Sequence, residues 1–556
     1  MLEIATDELK TLSIDHHGLV AAVCQDLKIS EKIDQKLGVD KQRKVSPGQA
    51  VKAMILNGLG FTNRRLYLTH QFFKNKPVNT LLENNAITSE DLTDYTLGHT
   101  LDEIFKYGTS KLFGEIAFSI AIENNLLGNM NHLDTTSISV EGEYKTTDTK
   151  SVNDIEPKAI KLTHGHSKDH RQDLKQAVLS LVVNGPSSIP IWMDPLDGNN
   201  SDKNSFHETI KKVQDFQKQI NVEKNFKWVA DSALYSKDKL LNNNNYVWLT
   251  RVPETIKEVK LLLDKKDQEI NWELKDNGYK TASCNSNYGD LEQRWLLVYS
   301  EQAYKREAAT LEKNIQKKEK TLISSVKNLN KKTFENENEI IIALRNLEKN
   351  NKFFDFSYKI NEKFKYAKSG KPKANSQKIS EGYKVELNFS RNISLIEKTL
   401  NRKGKFILAT NDLDADSYPN ENMLIEYKEQ QKVEGGFRFL KDPWFMVDSI
   451  FLKLPSRIEA LMMVMTLCLM VYNVAQYKLR KTLQENDETL PNQINKKIKN
   501  PTLRWIFQIM EGINIVQFYK KHIKKPIKEI ITNLDDLRIK IIKFFGVNAC
   551  QMYGLT

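Results

Sequence analysis

Hydrophobic and polar residues follow two different periods along this chain, and together these periods predict a mixed α/β fold. From Met130 to Val140 they alternate with the period of two that is typical of a strand. Further strands are predicted at 177–183, 189–193, 226–231, 246–251 and 405–410, and a helix over about 205–220. Strands and helices in this order favour a mixed sheet that is flanked by helices.

The first 125 residues are predicted to be mostly helical. Ser46-Pro47 is a typical helix start, with a capping serine and a proline in the first turn, and the helix is predicted to continue through Ile55. The basic pair Arg64 and Arg65 follows this unit. A helix–turn–helix with flanking cations predicts contact with DNA, although any small helical bundle would share the pattern.

Changes in pattern divide the chain into five segments. A helical hairpin dense in Lys and Glu is predicted over about 304–351, with strand patterns on either side of it. The predicted segments are a helical N-terminal DNA-binding domain at 1–125, the first part of an α/β core at 126–252, an insertion domain at 253–400, the second part of the core at 401–478, and a helical, basic C-terminal region at 479–556.

The charge balance favours a polyanionic partner, and nucleic acid before membrane. The formal net charge is +12, and the 77 residues from Arg480 to Thr556 hold 14 Lys and Arg against 7 Asp and Glu, which is +7 of that total. The densest basic patch of this region includes Lys520 and Lys521, which we predict to contact DNA.

Cysteine usage and hydropathy predict a cytoplasmic protein without a membrane span. The four cysteines are far apart and form no CxxC pair, so neither a zinc ribbon nor a disulfide framework is indicated. The longest apolar run, at 460–472, is too short to cross a bilayer and predicts a buried core helix.

Two aspartates occupy strand positions that suit a functional site. Asp134 follows an apolar residue inside the first predicted strand, where a charge is costly unless it binds a metal or hydrogen-bond donors. Asp231 ends the short strand at 226–231, and strand ends are the usual place for a site in an open α/β sheet. Taken singly, each aspartate is explained as well by a cap or a turn.

A charged segment near residue 430 has helical spacing. Its members follow one another at steps of three and four, which places them on one helix face: Tyr427, Gln430, Glu434, Arg438 and Lys441. A carboxylate can hold a divalent metal, and the cations and the phenol can hold a DNA backbone, so this face suits metal-assisted phosphoryl chemistry. An ordinary solvated face of an amphipathic helix would show the same spacing.

These residues resemble the Tyr-x2-Arg-x3-Glu-x6-Lys signature of bacterial DDE transposases of the cut-and-paste insertion-sequence class. Tyr427, Glu434 and Lys441 match the signature in type and spacing. Gln430 stands in the arginine position, where it keeps hydrogen bonding but loses the charge. Arg438, one turn after the glutamate, could supply the missing cation.

The resemblance also covers Leu-Asp-Thr-Thr-Ser around Asp134 and Ala-Asp-Ser-Ala around Asp231. It implies an RNase H-like mixed sheet flanked by helices and interrupted by an insertion domain. It implies that these two aspartates and Glu434 are catalytic and hold two Mg²⁺ ions, for which Mn²⁺ can substitute. Tyr427 and Lys441, with the nearby cation, would then hold phosphates beside the cut.

The implied activity is binding of the terminal inverted repeats of an insertion sequence, followed by metal-dependent strand cleavage and strand transfer. The implied partners are double-stranded DNA, as element ends and as target, and a second copy of the chain in a homodimeric synaptic complex. The implied location is the bacterial nucleoid. Two alternatives stay open: an RNase H-like nuclease that needs no paired ends, and a catalytically inactive DNA-binding protein derived from a transposase.

A polar loop lies between the two candidate aspartates, from His164 to Lys175. Its three histidines have the spacing H-x-H-x3-H without a cysteine partner, so a zinc site is less favoured than a basic loop that faces the substrate. The loop resembles the Gly-x-Ser-x-Asp-x-Arg-x-Asp-Leu-Lys segment of the same transposase group.

Overall fold

The computed structural model describes residues 8–62, 66–142, 144, 158–237, 240, 245–275, 278–366, 378–442, 445, 452–520 and 525–555. These residues belong to two compact units. The core unit comprises Met1–Thr250 with Glu421–Thr556, and the inserted unit comprises Arg251–Asn420. The Arg64, Arg65 and Lys521 positions, predicted to contact DNA, lie outside the described residues.

The described strands are numbered in chain order. They are β1 (Glu8–Ser13), β2 (Met130–Val140), β3 (Lys175–Asn184), β4 (Ile189–Leu196), β5 (Lys227–Ala230), β6 (Trp248–Arg251), β7 (Glu273–Lys275), β8 (Tyr279–Ser286), β9 (Gln293–Ser300), β10 (Phe354–Tyr366), β11 (Lys378–Arg391), β12 (Lys405–Thr410), β13 (Leu490–Pro491), β14 (Lys497–Ile498), β15 (Asn514–Tyr519) and β16 (Lys528–Thr532).

The described α-helices are numbered in the same way. They are α1 (His17–Asp26), α2 (Ile29–Leu37), α3 (Pro47–Gly58), α4 (Thr69–Phe73), α5 (Val78–Leu81), α6 (Asp94–Tyr107), α7 (Thr109–Glu123), α8 (Asp202–Gln219), α9 (Lys257–Asp264), α10 (Glu301–Lys331), α11 (Glu337–Asn350), α12 (Ile393–Asn401), α13 (Asn420–Lys428), α14 (Gln431–Leu440), α15 (Pro455–Glu485), α16 (Leu503–Ile509), α17 (Asp536–Phe544) and α18 (Val547–Met552).

The central sheet of the core unit is mixed. Its strand order is β4-β3-β2-β5-β6. The first three strands pair antiparallel, whereas β2 with β5 and β5 with β6 pair parallel. Helices α7, α8, α14 and α15 pack on this sheet. The predicted mixed α/β fold with flanking helices is therefore confirmed for the core unit.

Helix α15 forms the centre of the core unit. It is 31 residues long and apolar enough in composition to cross a membrane, but 83% of its most apolar window is buried inside the protein. It packs against α3, α6, α7 and β4. This burial agrees with the core helix predicted at 460–472, since a helix that is apolar on all sides needs neighbours on all sides.

The N-terminal and C-terminal regions share a small sheet. Strand β1 pairs antiparallel with β15, which pairs in turn with β16. The Tyr553 side chain near the end of the chain is buried, and its hydroxyl donates to the carbonyl of Asp15. The region from 479 onward was predicted to be helical, and this was incomplete, because β15 is completed by a strand about 500 residues earlier.

Helix α3 begins as the sequence predicts. The Ser46 hydroxyl accepts the backbone N–H of Gln49 at 3.2 Å, and the Gln49 side chain accepts the backbone N–H of Ser46 at 3.1 Å. This reciprocal capping box satisfies two backbone donors that no helical carbonyl can reach. Pro47 follows in the first turn, where its missing N–H costs nothing.

The inserted unit contains four hydrogen-bonded strands in the order β12-β9-β8-β7 and the separate ribbon β10-β11. Helices α10 and α11 bury an apolar seam with the ribbon, which explains the charged hairpin: its Lys and Glu residues cover the outside of that seam. The strand predicted at 405–410 is observed as β12, which pairs antiparallel with β9.

Candidate functional site

The two candidate aspartates lie at the same level on neighbouring parallel strands. In the register of β2 and β5, Leu133 is opposite Ala230, so the next residue of each chain segment is an aspartate. The Asp134 carboxylate accepts the backbone N–H of Thr135 at 2.7 Å. The Asp231 carboxylate accepts the backbone N–H of Ala233 at 2.8 Å, in the turn that follows β5. Parallel pairing thus places the two aspartates side by side on neighbouring strands.

The candidate glutamate, Glu434, is on helix α14, which packs against β2. Its buried residues pack on β2, β3 and α15, whereas Glu434 and Arg438 are exposed on its other side. Within the described part of the chain, neither of these two side chains makes a hydrogen bond or an ion pair. Gly436 allows the close packing, since a Cβ there would lie 3.0 Å from a methyl carbon of Leu469.

The spacing of the charged segment predicted one continuous helix, but the structure has two helices there. Helix α13 ends at Lys428, and α14 begins at Gln431. Between them the backbone makes short-range bonds, for example from the N–H of Gln430 to the carbonyl of Tyr427 at 3.1 Å. Tyr427 is therefore on a different helix from Glu434, and the single five-residue face is not formed.

The Gln430 side chain lies at this break. It is 8% exposed, and its amide nitrogen donates to the carbonyl of Leu133 at 3.0 Å. Its amide oxygen lies 3.3 Å from Nδ1 of His132 and accepts from that ring. Gln430 was predicted to contact DNA, but the structure directs its amide to the strand residues that immediately precede Asp134.

His132 is buried beneath this contact. Burial lowers the pKa of its ring from the usual 6.5 to about 4, and the nearby Glu429 carboxylate and the Gln430 hydrogen bond oppose this shift. The imidazole is therefore neutral near pH 7. Successive side chains of a strand point to opposite faces of the sheet, so His132 and Asp134, two residues apart on β2, project toward the same side.

A lysine that the sequence did not single out lies beside Asp134. The Lys168 ammonium group is 3.6 Å from the Asp134 carboxylate, whose side chain is 16% exposed. The same ammonium group donates to the carbonyl of Thr135 at 2.6 Å and to its hydroxyl at 3.2 Å. Lys168 belongs to the loop 164–175, so the prediction of a functional loop was the only sequence signal for this residue.

The other end of α14 contacts the same loop. Lys441, the residue at the C-terminal cap of α14, donates to both carboxylate oxygens of Asp169, at 2.8 and 2.7 Å. Lys441 was predicted to hold a DNA phosphate. In this structure its ammonium group already has an anionic partner, and that partner is the residue next to Lys168.

Buried hydrogen bonds hold the loop in place. The Ser167 hydroxyl, in a residue that is 2% exposed, accepts the backbone N–H groups of Asp169 and Arg171 at 3.3 and 3.1 Å. The backbone N–H of Lys168 donates to the hydroxyl of Ser137 on β2 at 2.9 Å. The Arg171 guanidinium pairs with Asp173 and lowers the pKa of that carboxyl.

The described residues contain no group of three or more His, Cys, Asp or Glu side chains that could hold a metal ion. The loop histidines therefore do not form a zinc site with other described residues. Asp134 and Asp231 supply the oxygen donors that hard cations prefer, but Glu434 does not complete a ready-made cluster with them. The pair of Mg²⁺ ions stays a prediction.

Of the remaining predicted DNA contacts, Lys520 is exposed directly after β15, and Tyr427 is partly buried on α13.

The chain is similar to known proteins in two comparisons. A family model described as a domain of unknown function, DUF4277, matches residues 9–118. A comparison with curated proteins found no match. Among solved structures, a piggyBac transposase in a synaptic complex with hairpin DNA is 10% identical, with a TM-score of 0.36 over 88% of this chain and 80% of that one.

Proposed function

We propose that this protein is a DNA transposase that binds the terminal inverted repeats of its insertion sequence and catalyses strand cleavage and strand transfer. One observation carries the proposal. Asp134, inside β2, and Asp231, directly after β5, lie at the same level of two neighbouring parallel strands, and the helix that bears Glu434 packs on the first of these strands. The three proposed catalytic carboxylates thus belong to adjoining elements although they are far apart in sequence.

The strand arrangement supports an RNase H-like core. In chain order, the first three strands of the central sheet are antiparallel neighbours, and the fourth and fifth add parallel on the other side of the first. One aspartate lies on the first of these strands and the other follows the fourth, as the resemblance to the DDE transposases implies.

In this proposal Asp134, Asp231 and Glu434 hold two Mg²⁺ ions, or Mn²⁺ ions, once DNA is bound. Bound there, such ions would supply Lewis-acid chemistry: they would activate the attacking water or 3′-hydroxyl and stabilise the leaving oxygen. Lys441, with Arg438 on the exposed side of α14, binds the phosphates beside the scissile bond. The substrate is double-stranded DNA, and two copies of the chain act together because two element ends have to be cut.

The test is cleavage of a DNA fragment that carries the element's own ends, in the presence of Mg²⁺. Glu434→Gln should abolish cleavage and leave binding of the ends largely intact, because it removes one negative charge without changing the shape of the side chain. Glu429→Gln is the matched control: Glu429 is five residues earlier, pairs with Lys432 at 2.9 Å and is not one of the proposed metal ligands.

Retained cleavage by the Glu434→Gln variant would refute the assignment of that residue. Binding without cleavage by the wild-type protein would favour an inactive DNA-binding protein. Cleavage that requires no second end would favour a nuclease on the same core.

A further inference from the structure

One loop presents opposite charges to the two ends of the candidate site. The Lys168 ammonium group is 3.6 Å from the Asp134 carboxylate. The adjacent Asp169 carboxylate receives two hydrogen bonds from the Lys441 ammonium group, at 2.8 and 2.7 Å. A cation therefore lies at a proposed metal ligand, and an anion lies at a proposed phosphate ligand.

Backbone hydrogen bonds also anchor the loop that makes these contacts. The backbone of Lys168 donates to Ser137 on β2, three residues after Asp134, and the buried Ser167 hydroxyl ties the turn together. The Lys168 ammonium group also donates to two oxygens of Thr135. Three anchoring contacts on one strand therefore set the position of both charges.

We infer that the Ser167–Asp173 loop is a built-in substitute for the ligands, which fills the site with its own charges in the absence of DNA and metal. Lys168 neutralises Asp134 where a metal ion would do so, and Asp169 occupies Lys441 where a DNA phosphate would do so. This inference rests on the proposed function. It adds that both ligands bind by displacing the loop.

The physical basis is competition for the same charged groups. A carboxylate that is paired with an ammonium group attracts a metal ion less strongly, and an ammonium group that is paired with a carboxylate attracts a phosphate less strongly. Removing either loop charge should therefore increase the affinity for the ligand that it replaces. The two residues are adjacent, so each effect can be tested by a single substitution.

The first experiment measures DNA binding without metal, by fluorescence anisotropy at fixed salt, with a duplex that carries the element's end. Asp169→Asn should tighten binding about fivefold, the effect of releasing one exposed ion pair. Asp173→Asn is the matched control, because it removes the same charge from the same loop but releases Arg171 and not Lys441. Equal effects of the two substitutions would overturn the inference.

The second experiment measures Mn²⁺ binding to the DNA-free protein by calorimetry. Lys168→Met should tighten Mn²⁺ binding about fivefold or more, and adding Asp134→Asn should remove that gain. Lys161→Met is the control for net charge, since Lys161 is an exposed residue before the same loop. No difference between the Lys168 and Lys161 variants would overturn the inference.

The two proposals fail in different ways. If the wild-type protein cleaves element ends but the loop variants behave like their controls, the loop inference is wrong and the proposed function stands. If the wild-type protein binds neither Mn²⁺ nor duplex DNA, and the loop variants do not restore binding, the proposed function is wrong and the inference falls with it.

Discussion

The Gln430 side-chain amide donates to the backbone carbonyl of Leu133 at 3.0 Å, and Leu133 immediately precedes Asp134. This bond joins the start of the helix that carries Glu434 to the strand that carries Asp134. An arginine would be expected here from the resemblance. Gln430 acts through its neighbours, so we regard it as a positioning residue that sets the distance between two proposed metal ligands.

Replacing Gln430 by alanine should reduce stability by about 1–3 kcal/mol, because a buried carbonyl of β2 loses its donor. The shift of the urea unfolding midpoint measures this loss. The Mn²⁺ concentration for half-maximal cleavage should also rise, which a purely structural role would not require. Gln431→Ala is the matched control, since Gln431 is exposed at the start of the same helix; equal effects of both variants would exclude the positioning role.

Two adjacent glycines of α14 should respond in opposite directions to alanine. A Cβ at Gly435 would meet nothing within 4 Å, so Gly435→Ala should stabilise the protein by about 0.5–1 kcal/mol through helix propensity. A Cβ at Gly436 would lie 3.0 Å from Leu469, so Gly436→Ala should destabilise it by about 1 kcal/mol or more. Thermal unfolding of the two variants checks this, and equal shifts would contradict the packing of α14.

Acid should destabilise the protein through His132. Its folded-state pKa is lowered to about 4 by burial, against 6.5 in the unfolded chain, so the unfolded state binds more protons between these values. Stability is therefore lost as the pH falls from 6.5 toward 4, by up to about 3 kcal/mol from this residue. His132→Gln should flatten that part of the stability profile, whereas His166→Gln, at an exposed histidine, should leave it unchanged.

Glu459 on α15 should have the opposite pH dependence. Burial raises its pKa from 4.5 to about 7, although the backbone N–H of Ile160 donates to it. The folded state then binds more protons between these values, so stability from this group is lost as the pH rises from 4.5 to 7. Glu459→Gln should gain stability relative to the wild type over this interval in urea titrations, whereas Glu485→Gln, exposed on the same helix, should not.

Several elements could be predicted because their signals are local. Strand β2 has the bounds that alternation predicts, and β12 likewise occupies 405–410. The capping box of α3 depends on residues only three positions apart. The aspartates could be chosen for the same reason: Asp134 lies inside one recognisable strand and Asp231 directly follows another, and parallel pairing of these strands then places them side by side.

Other features depend on partners that are distant in sequence. The helix predicted around Glu434 is interrupted near Gln430, whose side chain bonds to a strand residue 297 positions earlier. The pairing of Lys441 with Asp169 joins residues 272 positions apart. No periodicity within either segment carries this information.

By itself, the amino-acid sequence determined the order and type of most elements of the core, the basic charge, and the candidate carboxylates, since these depend on short-range spacing and composition. The tertiary structure alone decided which side chains surround those carboxylates: the Gln430 amide on β2, the Lys168 ammonium group beside Asp134, and the Asp169 carboxylate on Lys441. The physical reason is that hydrogen bonds and ion pairs form between groups that are close in space, and only folding brings these groups together.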